Sequence, residues 1–357
     1  MNTFHALIRG QRRGPFAALA RAGLWWVRLP YAVGVWFRNR GYDRNPTRGT
    51  RVPVPVVCVG NLTLGGTGKT VVAEYVARFF ADEGKPVALL SRGYGSTDGG
   101  PNDEAMLLEE NLPDVPHLQG ANRVTLANTA VEELECELLV LDDGFQHRQL
   151  HRDLDVVLVD VTRPLADEYL FPRGLLREPV GALKRAGFVL FTHCDEVPGE
   201  SVRRQVDWVK DRFPSVPVAR TVHRPVELIG ADGSKSDVSD LKGKSVARFC
   251  GIGNPDSFDR TLSGCGATVI DRRDYPDHHA YSREDVDDLA RWAASQPDDT
   301  ILVTTQKDWV KLRTGELGGK RLWAVRIGLG FQDGEPEFRR TLEGVLPDLA
   351  ESTEVGE

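Results

Sequence analysis

The chain has 357 residues, of which 41% are hydrophobic and 27% charged, and its formal net charge is −7. This composition is ordinary for a soluble globular protein of about two domains, and it excludes a disordered chain, a collagen and a multi-span membrane protein. The acidic balance argues against a general nucleic-acid binder. The five cysteines are far apart and form no CxxC pair, so they indicate neither a disulfide framework nor a zinc site.

The N-terminal segment differs from the rest of the chain in charge. Residues 1–51 hold ten arginines, no lysine and one acid, Asp43, which gives this end a net charge of +9. Aromatic residues lie among the arginines, and no charge-free run there approaches the ~20 residues of a spanning helix. Aromatic rings favour the headgroup layer and arginines favour anionic lipid. We therefore predict that residues 1–50 form a helix lying on an anionic membrane surface, broken or kinked near Pro30; packing on the protein's own core is the alternative.

From residue 53 onward, short β-branched runs alternate with amphipathic stretches of helical length. This rhythm predicts an α/β fold with a parallel sheet over residues 51–223. A polar, turn-rich linker is expected at 224–242, followed by a second alternation that predicts a smaller α/β domain over 243–345 and a frayed tail over 346–357. The strand-like runs of the first domain are residues 54–59, 86–90, 138–141, 156–159, 188–191 and 216–219.

The strongest motif is VVCVGNLTLGGTGKT at residues 56–70, in which a hydrophobic run enters a glycine-rich turn and then a helix. That context is the one a phosphate-binding loop (P-loop) requires. Backbone N–H groups of such a loop surround phosphates, Lys69 can reach the β- and γ-phosphates, and Thr70 can ligate Mg²⁺. Thr63 replaces the first glycine of the usual pattern, and Leu64 stands where some variant loops carry a lysine. The predicted nucleotide-binding residues are Gly65, Gly66, Thr67, Gly68, Lys69 and Thr70.

A P-loop also needs a carboxylate at the end of a neighbouring strand to hold the metal ion. The run LLVLDD at residues 138–143 supplies two, Asp142 and Asp143. Asp160, at the end of another apolar run, is a less favoured alternative. Together with Thr70, Asp142 and Asp143 are the predicted metal ligands.

The reaction class is less constrained by the residues alone. The sequence FTHCD at residues 191–195 half-matches the guanine-reading motif of GTPases, with His193 in place of the lysine, so a nucleotide switch remains an alternative to an ATP-dependent kinase. Phosphoryl transfer also needs a group that accepts a proton. The candidates are Asp103 with Glu104, His147, and the pair His278 and His279.

Several segments together resemble the tetraacyldisaccharide 4′-kinase family, the lipid A 4′-kinases. The segments keep the family's order and are VGNLTLGGTGKT (59–70), SRGYG (91–95), NDE (102–104), LDDGFQH (141–147), RDLDVVLVD (152–160), FPRGLLREP (171–179), GIGNPDSF (251–258), YPDHH (275–279) and TTQKDWVKL (304–312).

The resemblance implies a P-loop core domain, a smaller α/β domain joined to it by a β-ribbon linker, and a membrane-associated N-terminal helix. It further implies transfer of the ATP γ-phosphate to the 4′-hydroxyl of a tetraacylated disaccharide 1-phosphate, forming lipid IVA in lipid A biosynthesis. ATP and Mg²⁺ are the implied cofactors. The implied partners are the lipid A disaccharide precursor and the membrane, at the cytoplasmic face of the bacterial inner membrane, without nucleic acid or an obligate protein partner. Alternatives are a P-loop kinase for another lipid or sugar, and a GTPase, ATPase switch or metallochaperone-type protein.

The resemblance also implies roles for individual residues. Asp103 matches the acid that activates the sugar hydroxyl, assisted by His278, and Lys69 serves the phosphates. Asp103 and His278 lie far apart in sequence, in different predicted domains. We therefore expect domain closure to bring them together. Supporting roles near the site are expected for Arg92, Glu104, Gln146 and His147.

Three positions depart from the family pattern or leave it ambiguous. Asn102 stands where the family often has glycine, and Gln306 where it often has glutamate, for which we expect a structural role. His279 leaves open which of two adjacent imidazoles acts.

Overall fold

A computed structural model describes residues 3–8, 12–93 and 103–346 of the chain. Asn102 and most of the predicted tail therefore lie outside the described residues. The strands, in chain order, are β1 Val56–Asn61, β2 Val87–Ser91, β3 His117–Gln119, β4 Leu138–Asp142, β5 Leu154–Asp160, β6 Phe188–Thr192, β7 Val218–Ile229, β8 Lys235–Ser236, β9 Ser245–Cys250, β10 Thr268–Asp274, β11 Ile301–Thr305, β12 Glu316–Leu317 and β13 Lys320–Asp333. The helices are α1 Thr3–Ile8, α2 Pro15–Arg44, α3 Lys69–Asp82, α4 Asp103–Asn111, α5 Arg123–Glu132, α6 Gly199–Arg212, α7 Pro255–Gly264, α8 Arg283–Ala294, α9 Gln306–Leu312 and α10 Glu335–Glu343.

The chain forms two compact units. The first unit comprises residues 1–92, 114–222 and 331–357, and the second comprises 93–113 and 223–330. Helix α4 thus belongs to the second unit although the sequence around it belongs to the first, and α10 belongs to the first. The first six residues of the range expected to be a linker, 224–229, continue strand β7 to Ile229, and β8 pairs antiparallel with the end of that strand.

The first unit is built on a parallel sheet with strand order β7-β6-β5-β1-β4-β2-β3. Every residue of β1, β4 and β6 is buried, which explains why these strands read as continuous apolar runs rather than alternating ones. Because β1 lies between β4 and β5, the loop that follows it emerges beside the carboxyl ends of both neighbours, where α/β sheets bind ligands. The predicted α/β class with a P-loop sheet core is confirmed.

The second unit contains the parallel strand order β10-β9-β11-β13, followed by the later part of β7. Its helix α8 begins with a capping box in which Ser282 and Asp285 satisfy each other's backbone N–H groups. Buried apolar residues of β9 and β11 pack with Leu289 and Trp292 of α8. This unit therefore has a hydrophobic core of its own.

The N-terminal helix α2 runs without interruption from Pro15 to Arg44 with Pro30 inside it, so of the expected break or kink at that proline the break is wrong. Val35 is its buried residue. Several of its large apolar side chains are exposed, with Phe16 86%, Trp26 67% and Phe37 65% accessible. Within the described part of the chain, no helix has both the length and the apolar character that crossing a bilayer demands.

Candidate active site

The predicted nucleotide-binding residues lie in one loop between β1 and α3. Gly65 (φ 111°) and Gly68 (φ 83°) adopt backbone conformations that favour glycine, and Lys69 and Thr70 are the first two residues of α3. The Asn61 side-chain amide donates to Thr67 Oγ1 at 2.9 Å. The 14-residue helix α3 directs its N-terminal N–H groups and the positive end of its dipole toward this loop. The arrangement suits a polyphosphate.

A segment between β5 and β6 holds the other side of the loop. Leu64 N–H donates to Leu175 O at 2.8 Å, and Arg177 N–H donates to Leu62 O at 2.7 Å. Thr63 and Leu176 form a β-bridge between these two contacts. The motif FPRGLLREP, which carries no role in the sequence interpretation beyond family likeness, thus contributes to the wall of the phosphate loop.

The two predicted metal acids lie at the carboxyl end of β4, the strand next to β1: Asp142 is its last residue and Asp143 follows it. Asp142 pairs in register with Val59 and is only 6% exposed. Asp143 adopts a positive φ of 52°, and its two carboxylate oxygens accept from Arg177 Nη1 at 2.9 and 3.0 Å. Lys69 Nζ lies 3.8 Å from Asp143 Oδ1. The fold therefore brings the loop lysine and this acid together, and it adds an arginine that the sequence interpretation missed.

The donor set at this place fits a magnesium ion. Thr70 offers a hydroxyl oxygen, and Asp142 and Asp143 offer carboxylate oxygens. Mg²⁺ takes hard oxygen ligands, commonly one or two carboxylates together with substrate phosphates and water. Arg177 Nη1 already donates to both carboxylate oxygens of Asp143, so this acid is shared between the arginine and the proposed metal site.

Three further predicted residues lie in the first unit. Gln146 donates to Asn61 O at 2.8 Å and accepts from Arg177 at 3.2 Å. It therefore links the end of β1 to Arg177, the arginine that contacts Asp143. Burial and the charges of Arg123, Arg152 and Arg92 lower the pKa of His147 to about 4, which keeps this imidazole neutral at physiological pH. Arg92 itself is exposed just beyond β2.

The second unit brings Asp103 and His278 together. Asp103 begins α4, and its Oδ2 lies 3.1 Å from His278 Nδ1 and 2.8 Å from Lys311 Nζ. All three residues belong to this unit, so their contact requires no closure of one unit on the other, contrary to the expectation from sequence. Burial raises the pKa of Asp103, but the bonds from Lys311 and His278 outweigh it and the pKa lies below its ordinary value.

The neighbouring imidazole has a different environment. His279 Nε2 lies 3.1 Å from Asp285 and its ring stacks on Tyr275 at 4.7 Å, whereas His278 is the histidine that contacts Asp103. Glu104 is exposed on α4.

The unusual glutamine of TTQKDWVKL has a structural explanation. Gln306 is 3% exposed and exchanges two hydrogen bonds with Asn111, at 2.6 and 3.3 Å, which joins α9 to α4. Two amides can donate and accept reciprocally, whereas an ionised glutamate at position 306 would have no N–H to donate to Asn111 Oδ1.

The FTHCD segment contributes contacts within the protein. Thr192 Oγ1 donates to Thr67 O at 3.1 Å, so β6 supports the phosphate loop. His193 Nδ1 lies 3.3 Å from Asp160 Oδ1, and Asp160 also accepts from Thr162. Arg163 follows this acid and its Nη1 donates to Leu64 O at 3.4 Å. A guanidinium from another loop thus contacts the backbone of Leu64, the position at which some variant P-loops carry a lysine.

Comparisons with known proteins agree over most of the chain. Residues 20–347 match the family model described as "Tetraacyldisaccharide-1-P 4'-kinase". A tetraacyldisaccharide 4'-kinase of Anaeromyxobacter dehalogenans (strain 2CP-C) is 39% identical over 346 residues, covering 92% of this chain and 91% of the relative. One from Syntrophus aciditrophicus (strain SB) is 39% identical over 324 residues, covering 84% and 85%.

A solved structure is similar along nearly its whole length. The crystal structure of LpxK from Aquifex aeolicus in complex with ATP is 29% identical, with a TM-score of 0.74, and the match covers 91% of this chain and 99% of that one. With the phosphate loop, the paired acids and these likenesses in place, the chain belongs to the tetraacyldisaccharide-1-phosphate 4′-kinase family.

Proposed function

We propose that this protein transfers the γ-phosphate of ATP to the 4′-hydroxyl of a tetraacyldisaccharide 1-phosphate and so forms lipid IVA in lipid A biosynthesis. The observation that carries the proposal is the contact of Asp103 with His278, a candidate proton acceptor, in a member of this family that also holds Lys69 beside Asp143 in a P-loop. A kinase needs both a nucleotide-binding loop and a group that activates the acceptor alcohol. A nucleotide switch needs only the nucleotide-binding loop.

The first unit would hold the nucleotide. N–H groups of residues 65–70 would surround the phosphates, and Lys69 would neutralise charge on the β- and γ-phosphates. Thr70, Asp142 and Asp143 would hold Mg²⁺, which when bound supplies further charge neutralisation of the triphosphate. Arg177 orients Asp143, because its Nη1 donates to both carboxylate oxygens.

The second unit would activate the acceptor. The sugar oxygen forms a bond to the γ-phosphorus, the bond from that phosphorus to the β–γ bridging oxygen breaks, and ADP leaves. The hydroxyl proton passes to the Asp103–His278 pair. Asp103 orients the ring through Nδ1, while the His278 side chain is 56% exposed and so accessible to a ligand.

The acceptor carries acyl chains, and α2 offers a surface for the same environment. Its exposed Phe16, Trp26 and Phe37 would enter the interfacial layer, and the surrounding arginines would meet anionic headgroups. We place the protein on the cytoplasmic face of the bacterial inner membrane, acting on a lipid and without an obligate protein partner.

The test of the reaction combines purified protein, labelled ATP, Mg²⁺ and the tetraacyl disaccharide monophosphate, with the product identified by mass. We expect a product heavier by one phosphate, and Asp103→Ala to lower kcat far more than it changes ATP affinity. Hydrolysis of ATP without acceptor phosphorylation would instead favour a switch protein, and transfer only to another alcohol would favour a kinase of different specificity.

The membrane role is tested separately by flotation with vesicles containing anionic phospholipid. Replacing Trp26 and Phe37 with alanine should reduce the bound fraction. Val35→Ala on the buried face of the same helix is the matched control. Equal binding by both variants would favour α2 as a helix that only packs on the protein.

A further inference from the structure

Glu178 connects the N-terminal helix to the segment that walls the phosphate loop. Its side chain is 0% exposed, and its oxygens accept from Arg38 at 2.8 Å, Asn39 at 3.0 Å and Arg185 at 2.9 Å. Arg38 and Asn39 are adjacent residues of α2. A buried carboxylate needs such partners because its desolvation is costly, so this contact fixes the helix against one side of the segment.

The other side of the same segment contacts the candidate site. Arg177, the residue before Glu178, donates its guanidinium to Asp143 and its backbone N–H to the loop carbonyl of Leu62. Its carbonyl accepts from the Tyr31 hydroxyl of α2 at 2.9 Å. Helix α2 therefore contacts both Arg177 and Glu178, and Arg177 also contacts the phosphate loop.

A second path leads from Glu178 to the loop that carries the acids. Arg185, its third partner, stacks its guanidinium over the Phe145 ring at 4.4 Å. Phe145 is fully buried two residues after Asp143. The carboxylate thus supports the Asp143 loop through Arg185 and through Arg177 at once.

We infer that Glu178 is a positioning residue for phosphoryl transfer, and that α2 sets the Arg177–Asp143–Lys69 geometry in addition to any role at the membrane. The inference rests on the proposed function. The links in the path are ion pairs, hydrogen bonds and the cation–π contact of Arg185 with Phe145, all within the first unit. A displacement of about 1 Å in a catalytic site can cost roughly 100-fold in rate. Removing the contacts of Arg38 and Asn39 with Glu178 should therefore slow the chemical step.

The experiment compares the Arg38→Ala/Asn39→Ala double variant with Arg40→Ala. Arg40 lies on the same helix, where its guanidinium stacks on Trp36 at 5.2 Å. Because Arg40→Ala also removes one positive charge from α2, it controls for the change in charge. Activity is measured in detergent micelles, where docking to a bilayer is not required. We expect kcat of the double variant to fall roughly 10- to 100-fold with KM for ATP within about twofold of wild type, and Arg40→Ala to keep wild-type kcat.

Two additional measurements separate positioning from loss of fold. Arg38→Lys with Asn39 intact should restore most of kcat, because a cation again reaches Glu178, and all variants should keep the wild-type Tm within a few degrees or be compared at equal folded fraction. Flotation should be equal for the double variant and Arg40→Ala. A double variant with the kcat of Arg40→Ala, or with a change in KM alone, overturns the inference.

The reference enzyme distinguishes this inference from the proposed function. If the wild-type protein phosphorylates the disaccharide and the variants match it, only the positioning role fails. If the wild-type protein does not use the disaccharide, the proposed function fails, and the rate of ATP hydrolysis without acceptor still reports the Lys69 and Asp143 geometry. An unchanged hydrolysis rate in the double variant would then overturn the positioning role as well.

Discussion

Lys311 Nζ lies 2.8 Å from Asp103 Oδ2, closer than the 3.1 Å between that oxygen and His278 Nδ1. The candidate proton acceptor is therefore a trio of charged or ionisable groups rather than a pair. A nearby ammonium favours the ionised carboxylate and so lowers its pKa. Asp103 is consequently an anion at neutral pH, suited to orienting His278 through its contact with Nδ1.

Replacing Lys311 with glutamine should raise the pKa of Asp103, since the hydrogen bond and the charge of the ammonium both hold it down. We expect the acid limb of the pH profile of kcat/KM to move to higher pH. Lys307→Gln on the same helix is the control and should leave the limb in place. An acid limb that is the same in both variants would remove Asp103 from the ionisation that governs activity.

Replacing Lys69 with alanine should abolish transfer, because this ammonium is the loop cation that can reach the β- and γ-phosphates. The expected loss of kcat is on the order of 1,000-fold or more. Lys85→Ala removes a lysine of the same unit that pairs with Glu137 at 3.7 Å, and should have little effect. Near-normal turnover by the Lys69 variant would exclude the P-loop from the mechanism.

Arg163→Ala should also slow transfer, by roughly 100-fold. Its Nη1 lies 2.9 Å from the position that a Cβ on Gly65 would occupy, so the guanidinium lies against the loop where phosphate charge collects. Arg163→Lys should recover part of the rate, and Arg203→Ala, exposed on α6, should match wild type. Steady-state kinetics with ATP varied would test this, and identical kcat for the Arg163 and Arg203 alanine variants would contradict it.

The His193–Asp160 contact should make stability depend on pH. Burial lowers the pKa of His193, but the hydrogen bond and charge of Asp160, aided by Glu196 and Asp195, raise it above its ordinary value overall. The stabilisation is fully present below the unfolded pKa of about 6.5 and is lost as pH rises through the higher folded pKa. The free energy of unfolding of wild type should therefore fall relative to that of His193→Gln across this window. Urea denaturation at a series of pH values measures the difference, and a constant difference would contradict the assignment.

The sequence predicts the features that depend on neighbouring residues. The strand before the P-loop, the glycines with positive φ and the acids at the end of β4 follow from local pattern, because a buried parallel strand, a tight turn and a helix start each have a residue signature. The region from Asp103 to Glu132 contains α4 and α5, which no apolar pattern in the sequence singled out. Their apolar faces are short, and tertiary packing rather than periodicity determines them.

The site residues missed from sequence share one physical reason. Lys311, Arg177 and Glu178 act through ion pairs with residues distant in the chain, and a lysine or arginine on a helix or loop carries no mark of its partner. The available signal was that Lys311 lies in the family motif TTQKDWVKL, and Arg177 and Glu178 in FPRGLLREP. In neither motif does the local structure explain why these positions are charged. Their partners become apparent only from the three-dimensional fold, which brings distant parts of the chain together.

Helix α4 leaves the sequence neighbourhood of the P-loop unit to pack with α9, and this excursion means that no single backbone cut can separate the halves of the enzyme. A fragment ending near residue 222 would retain α4 with buried Ala105 and Leu108 uncovered. A fragment starting there would retain His278 and Lys311 without their carboxylate. Separation of the two fragments after such a cut should therefore break the contact of Asp103 with His278. A permuted chain that joins residues 103–113 to residues 223–330 could preserve it.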